Sequence, residues 1–304
     1  MSTSTVSQLS STERREHVRL QATSTVARRN LFSKLYLSSL AIALAIAFIP
    51  LFSILQNVIG NGWHYLTWGF LTQSQHLPDL MSRNAIGGIG NALTGTAVVD
   101  GVALLFAVPI ALLLAVAFFD LRNKWTLIVR AAMETFIGLP SILFGVFIYV
   151  LFVANNHGIT EGIYGSYALC FIIVPVSTIN CLAALESVPK TLIEAGLSLG
   201  SRPSRVMWRV VLPVARPRIL TGLFLAFARS VGETAPILFV IGVSLLPTYS
   251  LTTSQSTLPT LMYNYLTGSY PSQRTACWGI ALVLMITVLA LNLISRIFVA
   301  RSSK

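Results

Sequence analysis

Apolar runs of about 20 residues recur along this chain, and no other feature narrows its folding options so sharply. Wound as an α-helix at 1.5 Å per residue, such a run crosses the ~30 Å hydrocarbon layer of a bilayer with its backbone groups satisfied internally. The runs fall at 36–58, 92–118, 137–154, 164–185, 220–246 and 277–299. The third is the least regular, because Arg130, Glu134 and Gly138-Leu139-Pro140 interrupt the stretch 128–154; residues 126–136 therefore read as an amphipathic lead-in helix. The 304 residues would suffice for two soluble domains, but 54% are hydrophobic and 10% charged, where a soluble domain carries about 25% charged residues. The predicted fold is an all-α membrane protein with six transmembrane helices.

The net charge of +11 raises the question of nucleic acid, and the distribution of that charge answers it. Of the 21 Lys and Arg residues, 18 fall in four places: the tail before the first span (Arg14, Arg15, Arg19, Arg28, Arg29, Lys34), the 119–136 loop (Arg122, Lys124, Arg130), the 186–219 loop (Lys190, Arg202, Arg205, Arg209, Arg216, Arg218) and the C-terminal end (Arg296, Arg301, Lys304). All four lie on one side of a six-span topology, whereas the other side has Arg83 and Arg274, and Arg229 lies within a span. The positive-inside rule makes that side, with both termini, cytoplasmic. The basic surface then faces anionic lipid and partner proteins, and no nucleic acid is required.

The expected organisation is a largely disordered cytoplasmic tail over 1–34, a first transmembrane helix with an outer interfacial loop over 35–86, and a transmembrane core over 87–300 that includes the cytoplasmic loop 186–219. The tail is rich in Ser and Thr. A cleaved signal peptide would carry a shorter apolar core nearer the N-terminus, so the first span reads as a retained anchor. In the outer segment 59–91, Trp63, His64, Tyr65, Trp68 and Phe70 read as an interfacial aromatic belt, with a substrate-gating role as the alternative. The three cysteines, Cys170, Cys181 and Cys277, sit inside apolar runs as buried thiols, and His64, His76 and His157 lack metal-ligand spacing. No Gly-Lys dipeptide offers a phosphate-cradling loop, so any ATP and magnesium would belong to a separate polypeptide. No Ser/His/Asp or paired-carboxylate arrangement points to chemistry on a substrate, and the expectation is a transport subunit without a catalytic site or a bound cofactor of its own.

The 186–219 loop reads as a helical elbow. Ser187 can cap a first helix with Pro189 in its opening turn, and Gly200 can end it in a left-handed conformation. Pro203 can open a second helix that Pro213 stops, and Pro217 separates it from the fifth span. Small residues Ala195, Gly196 and Gly200 would let another backbone approach. From physics alone, this is either a surface to be gripped by a partner or an ordinary basic loop. The stretch Glu194-Ala195-Gly196-x3-Gly200-x9-Val210-x-Leu212-Pro213 resembles the E-A-A-x3-G-x9-I-x-L-P signature of ABC-importer permeases, with Gly196 and Val210 as mild departures. The resemblance implies the type I ABC importer permease fold, and a coupling loop that docks on the ATPase subunit through Glu194, Ala195, Gly196, Gly200, Leu212 and Pro213.

The fifth span contains Arg229-Ser230-Val231-Gly232-Glu233-Thr234-Ala235-Pro236. Arg229 and Glu233 would share one helix face in the middle of an apolar run, where a charge costs about 2.5–3.5 kcal/mol and normally faces an interior cavity. Gly232 and Pro236 should kink or open the helix beside them. Two readings stand together: a structural ion pair, or a pathway for an anion whose tetrahedral oxygens suit a guanidinium fork. Asp100, in the second span, is expected to partner Arg229 or to face the same pathway. Pro50, Pro109 and Pro175 read as bends.

Gly232-Glu233-Thr234-Ala235-Pro236, Gly138-Leu139-Pro140-Ser141-Ile142-x-Phe144-Gly145, Ser187-Val188-Pro189 and Gly87-Gly88-Ile89-Gly90-Asn91-Ala92 closely resemble motifs of the A-type permease subunit of phosphate-specific ABC importers. The resemblance runs in order over roughly residues 87–240. It implies phosphate uptake across a bacterial cytoplasmic membrane by alternating access, with a paired C-type permease, an ABC ATPase dimer and an external phosphate-binding protein. An importer permease for another oxyanion, such as sulfate or molybdate, and a secondary anion carrier remain the alternatives.

Overall fold

The computed structural model describes residues 11–75, 87–121 and 123–302. The expectations placed on His76, Arg83, Arg122 and Lys304 lie outside the described residues. The architecture is helical, and among the described residues the β structure is one isolated bridge between Gln75 and Gly87. The chain divides into two compact units, the first ending at Asn57 and the second beginning at Val58.

The described part of the first unit belongs to helix α1, Ser11–Gly62. Residues 11–34, whose polarity suggests a tail, are helical and continuous with the first span. From Ser11 to Ile49 the sequence contains neither Gly nor Pro, so nothing local interrupts helix propagation. Pro50 lies inside the helix. Side chains such as Phe32, Leu37, Ile42 and Phe52 are exposed, and among the described side chains of this unit none is buried.

In the second unit the short α2, Trp68–Thr72, precedes the two long helices α3, Gly90–Asp120, and α6, Gly162–Glu186. Ala92, Thr96, Val99, Ala103, Ala107, Ala111 and Ala115 recur at three- and four-residue steps along α3, and all are buried. A stripe of small side chains lets helices approach closely where lipid offers no hydrophobic driving force between them. Pro109 and Pro175 are accommodated inside α3 and α6 without a break.

The third span divides as the sequence suggests. Helix α4, Lys124–Gly138, opens on an Asn123/Thr126 capping box, and α5 begins at Ile142 after a 109° bend. Leu139 is extended (φ −75°, ψ 144°) because the following Pro140 excludes it from the helical region. Helix α5, Ile142–Ile148, runs through a π-turn, Tyr149–Val153, to a tight turn at Ala154–Asn156.

The fifth span departs from its predicted form. Helix α7 is Lys190–Ser198; α8, Pro203–Val206, then passes through a π-turn, Met207–Val211, into α9, Leu212–Ser230. Pro213 does not stop this helix, and Pro217 does not separate it from the span. The π-turn, in which the Leu212 N–H donates to the Met207 carbonyl, absorbs the missing donor of Pro213. The helix expected to reach residue 246 ends at Ser230. Residues 231–257 then run without regular helix to α10, Leu258–Thr267, and α11, Pro271–Ser302. Non-helical backbone at membrane depth must be satisfied by protein or water. Here Glu161 N donates to Val240 O, Gly162 N to Thr253 O, Ile163 N to Leu251 O and Gln255 N to Ile241 O.

Four apolar clusters lie in the second unit among the described residues; the smallest joins Ile148, Val153, Ala168 and Val240. Another joins Ile89, Leu258, Leu261, Tyr265 and Ile280. The next joins Val99, Leu169, Ile173, Ile237 and Ile241, and the last joins Ala115, Leu185, Val188, Val206, Met207 and Val211 around the elbow.

Candidate functional site: a charged helix break and a helical elbow

Helix α9 loses its ladder where Arg229 stands. The Gly232 amide donates to the Arg229 carbonyl (3.2 Å) and the Glu233 amide to the Ser230 carbonyl (3.0 Å), tight three-residue turns in place of α-helical ones. Arg229 and Glu233 are thus brought together across a break, and do not share the face of a continuous helix as expected. Arg229 Nε lies 3.6 Å from Glu233 Oε1, with 58% of the Arg side chain and 17% of the Glu side chain exposed. A pair this open is weakly held, and it leaves most of the guanidinium available.

The break lies one residue before Val231, and Gly232 plays a smaller part in it than predicted. Gly232 is absent from the positive-φ glycines, and an added Cβ would meet just the Arg229 carbonyl, at 3.7 Å. Pro236 is buried, and its carbonyl lies against Gly145 of α5 so closely that a Cβ at 145 would collide with it. This contact unites two stretches that are distant in sequence, Gly138–Gly145 and Gly232–Pro236. Arg229 opens into a crevice with Leu139, Ser141, Phe144 and Pro175, formed by the α4–α5 bend and α6.

Asp100 does not meet Arg229. It is 3% exposed, and its Oδ1 accepts from Ser230 Oγ at 3.2 Å, on the side of α9 that faces α3. Ser230 was overlooked in the sequence because a lone Ser in an apolar span has no distinguishing pattern. Gly145 left a fainter signal: a glycine within an apolar helix marks a close approach, but its partner was not readable.

At the elbow, Gly200 is left-handed (φ 78°), as predicted, and Pro203 opens α8. Ser187 is not the cap of α7. Its hydroxyl donates back to the Ala184 carbonyl (2.6 Å) and closes α6, while Pro189 occupies the cap position. Gly196 faces inward, because a Cβ there would lie 3.1 Å and 3.3 Å from the two methyls of Val206. Its small size serves packing inside the elbow. Glu194, Ala195 and Leu199 are exposed, while Ile193 and Leu212 pack against the elbow's apolar cluster. Pro213 is exposed in the first turn of α9.

With this geometry in place, comparison with known proteins is informative. Residues 107–304 match the sequence family described as binding-protein-dependent transport system inner membrane component. The chain is 33% identical over 255 residues to the phosphate transport system permease protein PstA 1 of Mycobacterium tuberculosis (strain CDC 1551), covering 82% of each chain. It is 30% identical over 272 residues to the phosphate transport system permease protein PstA of Haemophilus influenzae, covering 89% of this chain and 94% of that one. Among solved structures it resembles a bacterial alginate ABC transporter in complex with a pentasaccharide-bound periplasmic protein, with a TM-score of 0.57 at 16% identity over 92% of this chain and 96% of that one. At that identity the likeness speaks for the fold.

Proposed function

Because the chain belongs to the family of binding-protein-dependent transport system inner membrane components, we propose that it is the permease subunit of an ATP-driven importer of inorganic phosphate. It is a multi-pass membrane protein with a transport role. The names of its relatives support phosphate as cargo. The single structural observation that carries the reading is the broken fifth span, which presents the Arg229 guanidinium in a crevice among membrane helices. Both termini and the elbow face the cytoplasm in this proposal, following the basic residues. Phosphate, received from an external binding protein, passes Arg229. Glu233 either steadies the guanidinium or accepts a hydrogen bond from the hydroxyl of hydrogen phosphate, which sulfate lacks. ATP and magnesium act on a separate ATPase dimer that grips the exposed face of α7 through Glu194 and Ala195, and a C-type permease completes the pathway.

Alternating access then has a simple mechanical basis. The elbow shares its apolar cluster with α3, α6 and α9, and α8 runs without interruption through α9 to Ser230. A displacement of the elbow is delivered along one helix to the Arg229 turn. The test is reconstitution of the complete complex and measurement of labelled phosphate uptake. Uptake should require ATP and resist excess sulfate; ATP-independent uptake, or suppression by sulfate, would overturn the assignment.

A further inference from the structure

Asp100 is a buried carboxyl in the middle of α3, and the pathway proposed above has no use for it. Among the described residues its recorded donor is Ser230 Oγ, at 3.2 Å, and Ser230 is itself 2% exposed. Ser230 is the last residue of α9. Its hydroxyl also lies 3.0 Å from the Phe227 carbonyl, and its own carbonyl accepts the Glu233 amide at 3.0 Å. One residue therefore joins α3, the final turn of α9 and the backbone of Glu233.

Successive side chains on an α-helix are turned by about 100°. With Ser230 held against α3, Arg229 is rotated away from it, toward the crevice of Leu139, Ser141 and Phe144. No other side chain in this turn ties it to α3 by a recorded hydrogen bond among the described residues. We infer that Asp100 is a positioning residue for the pathway: by accepting the Ser230 hydroxyl it sets the rotation of the last turn of α9, and so aims Arg229 and Glu233. This rests on the reading of Arg229 given above.

The role needs an oxygen acceptor at that place; it does not need a charge. Asn supplies the same Oδ1, whereas Leu has similar bulk and no acceptor. In proteoliposomes carrying the complete importer, Asp100→Asn should keep uptake near the parent level. Asp100→Leu and Ser230→Ala should each lower phosphate moved per ATP by about tenfold, the loss expected for one buried hydrogen bond. Subunit co-purification and the ATP hydrolysis stimulated by loaded binding protein should hold, and the double variant should fall no further than either single one. If Asp100→Leu fails to assemble, Ser230→Ala, the smaller change, carries the comparison.

Equal loss in Asp100→Asn and Asp100→Leu would overturn the inference, since the charge would then be what matters. So would parent-like uptake in both Asp100→Leu and Ser230→Ala, hydrolysis falling together with uptake, or additive losses in the double variant. Arg229→Ala in the same assay separates the two levels. Uptake that survives it removes the underlying reading, whereas uptake lost there but kept in Asp100→Leu and Ser230→Ala removes the positioning role alone.

Discussion

The elbow and the break sit at opposite ends of one helix and are built on opposite plans. At the elbow the chain turns through Gly200 and Pro203, yet its interior is sealed by Ile193, Val206 and Met207, and its helix continues through two prolines. At the break no glycine is needed for a positive φ within residues 229–236, but the helix stops, and a buried Ser–Asp contact and the Gly145–Pro236 approach take over. A surface that receives force must be stiff, which apolar packing provides. A passage for an ion must expose polar groups in a low-dielectric setting, so it needs a break supported by neighbouring elements. The contrast is between an elbow whose second helix keeps its hydrogen-bond ladder past two prolines and a span that gives its ladder up at Ser230.

The contrast can be broken at its strongest point first. Arg229→Ala should lower phosphate uptake by about 100-fold, the scale of one lost charge-assisted contact, with co-purification of the subunits unchanged. Uptake near the parent level would make Arg229 structural. Gly145→Val pushes a side chain into the Pro236 carbonyl and should cost about 1–3 kcal/mol of overpacking, read as a lower midpoint in thermal unfolding of the purified complex. An unchanged midpoint would show that the two stretches can part without loss.

At the elbow, Glu194→Lys reverses an exposed charge on the proposed docking face. It should weaken ATPase association by about tenfold and leave the folded permease intact. Equal ATPase retention during purification would remove Glu194 from that face. The smallest effect is expected at Gly232→Ala, whose added methyl makes one ordinary van der Waals contact at a backbone without positive φ; stability should change by less than about 0.5 kcal/mol. A loss of uptake there without a loss of stability would reveal a second conformation in which Gly232 does adopt a glycine-like backbone.

Much of this was readable in advance where the physics is local. The spans follow from run length, the 109° bend from Gly138-Leu139-Pro140, and the left-handed turn from Gly200, because each depends on residues within a few positions of one another. The misreadings share one cause. Local rules forbid a proline its hydrogen bond and so make Pro213 look like a stop, whereas the π-turn that accommodates it is a property of the whole helix. Apolarity alone puts residues 231–246 in a helix, although the Val240 and Ile241 carbonyls accept from the Glu161 and Gln255 amides, distant in sequence. For Asp100 the sequence leaves two alternatives, a partnership with Arg229 or a place facing the pathway; of these the structure removes the first and gives it Ser230, on the other side of the same turn.

The sequence alone determined that this chain crosses a membrane several times as helices, with an elbow between the fourth and fifth spans. Those properties follow from apolar run length and from local turn residues, which no packing arrangement alters. Tertiary structure decided where the fifth helix ends, which neighbour fills Gly145 and Gly196, and which way Arg229 turns. Each of these depends on a buried group finding a partner remote along the chain, and periodicity carries no record of such pairings.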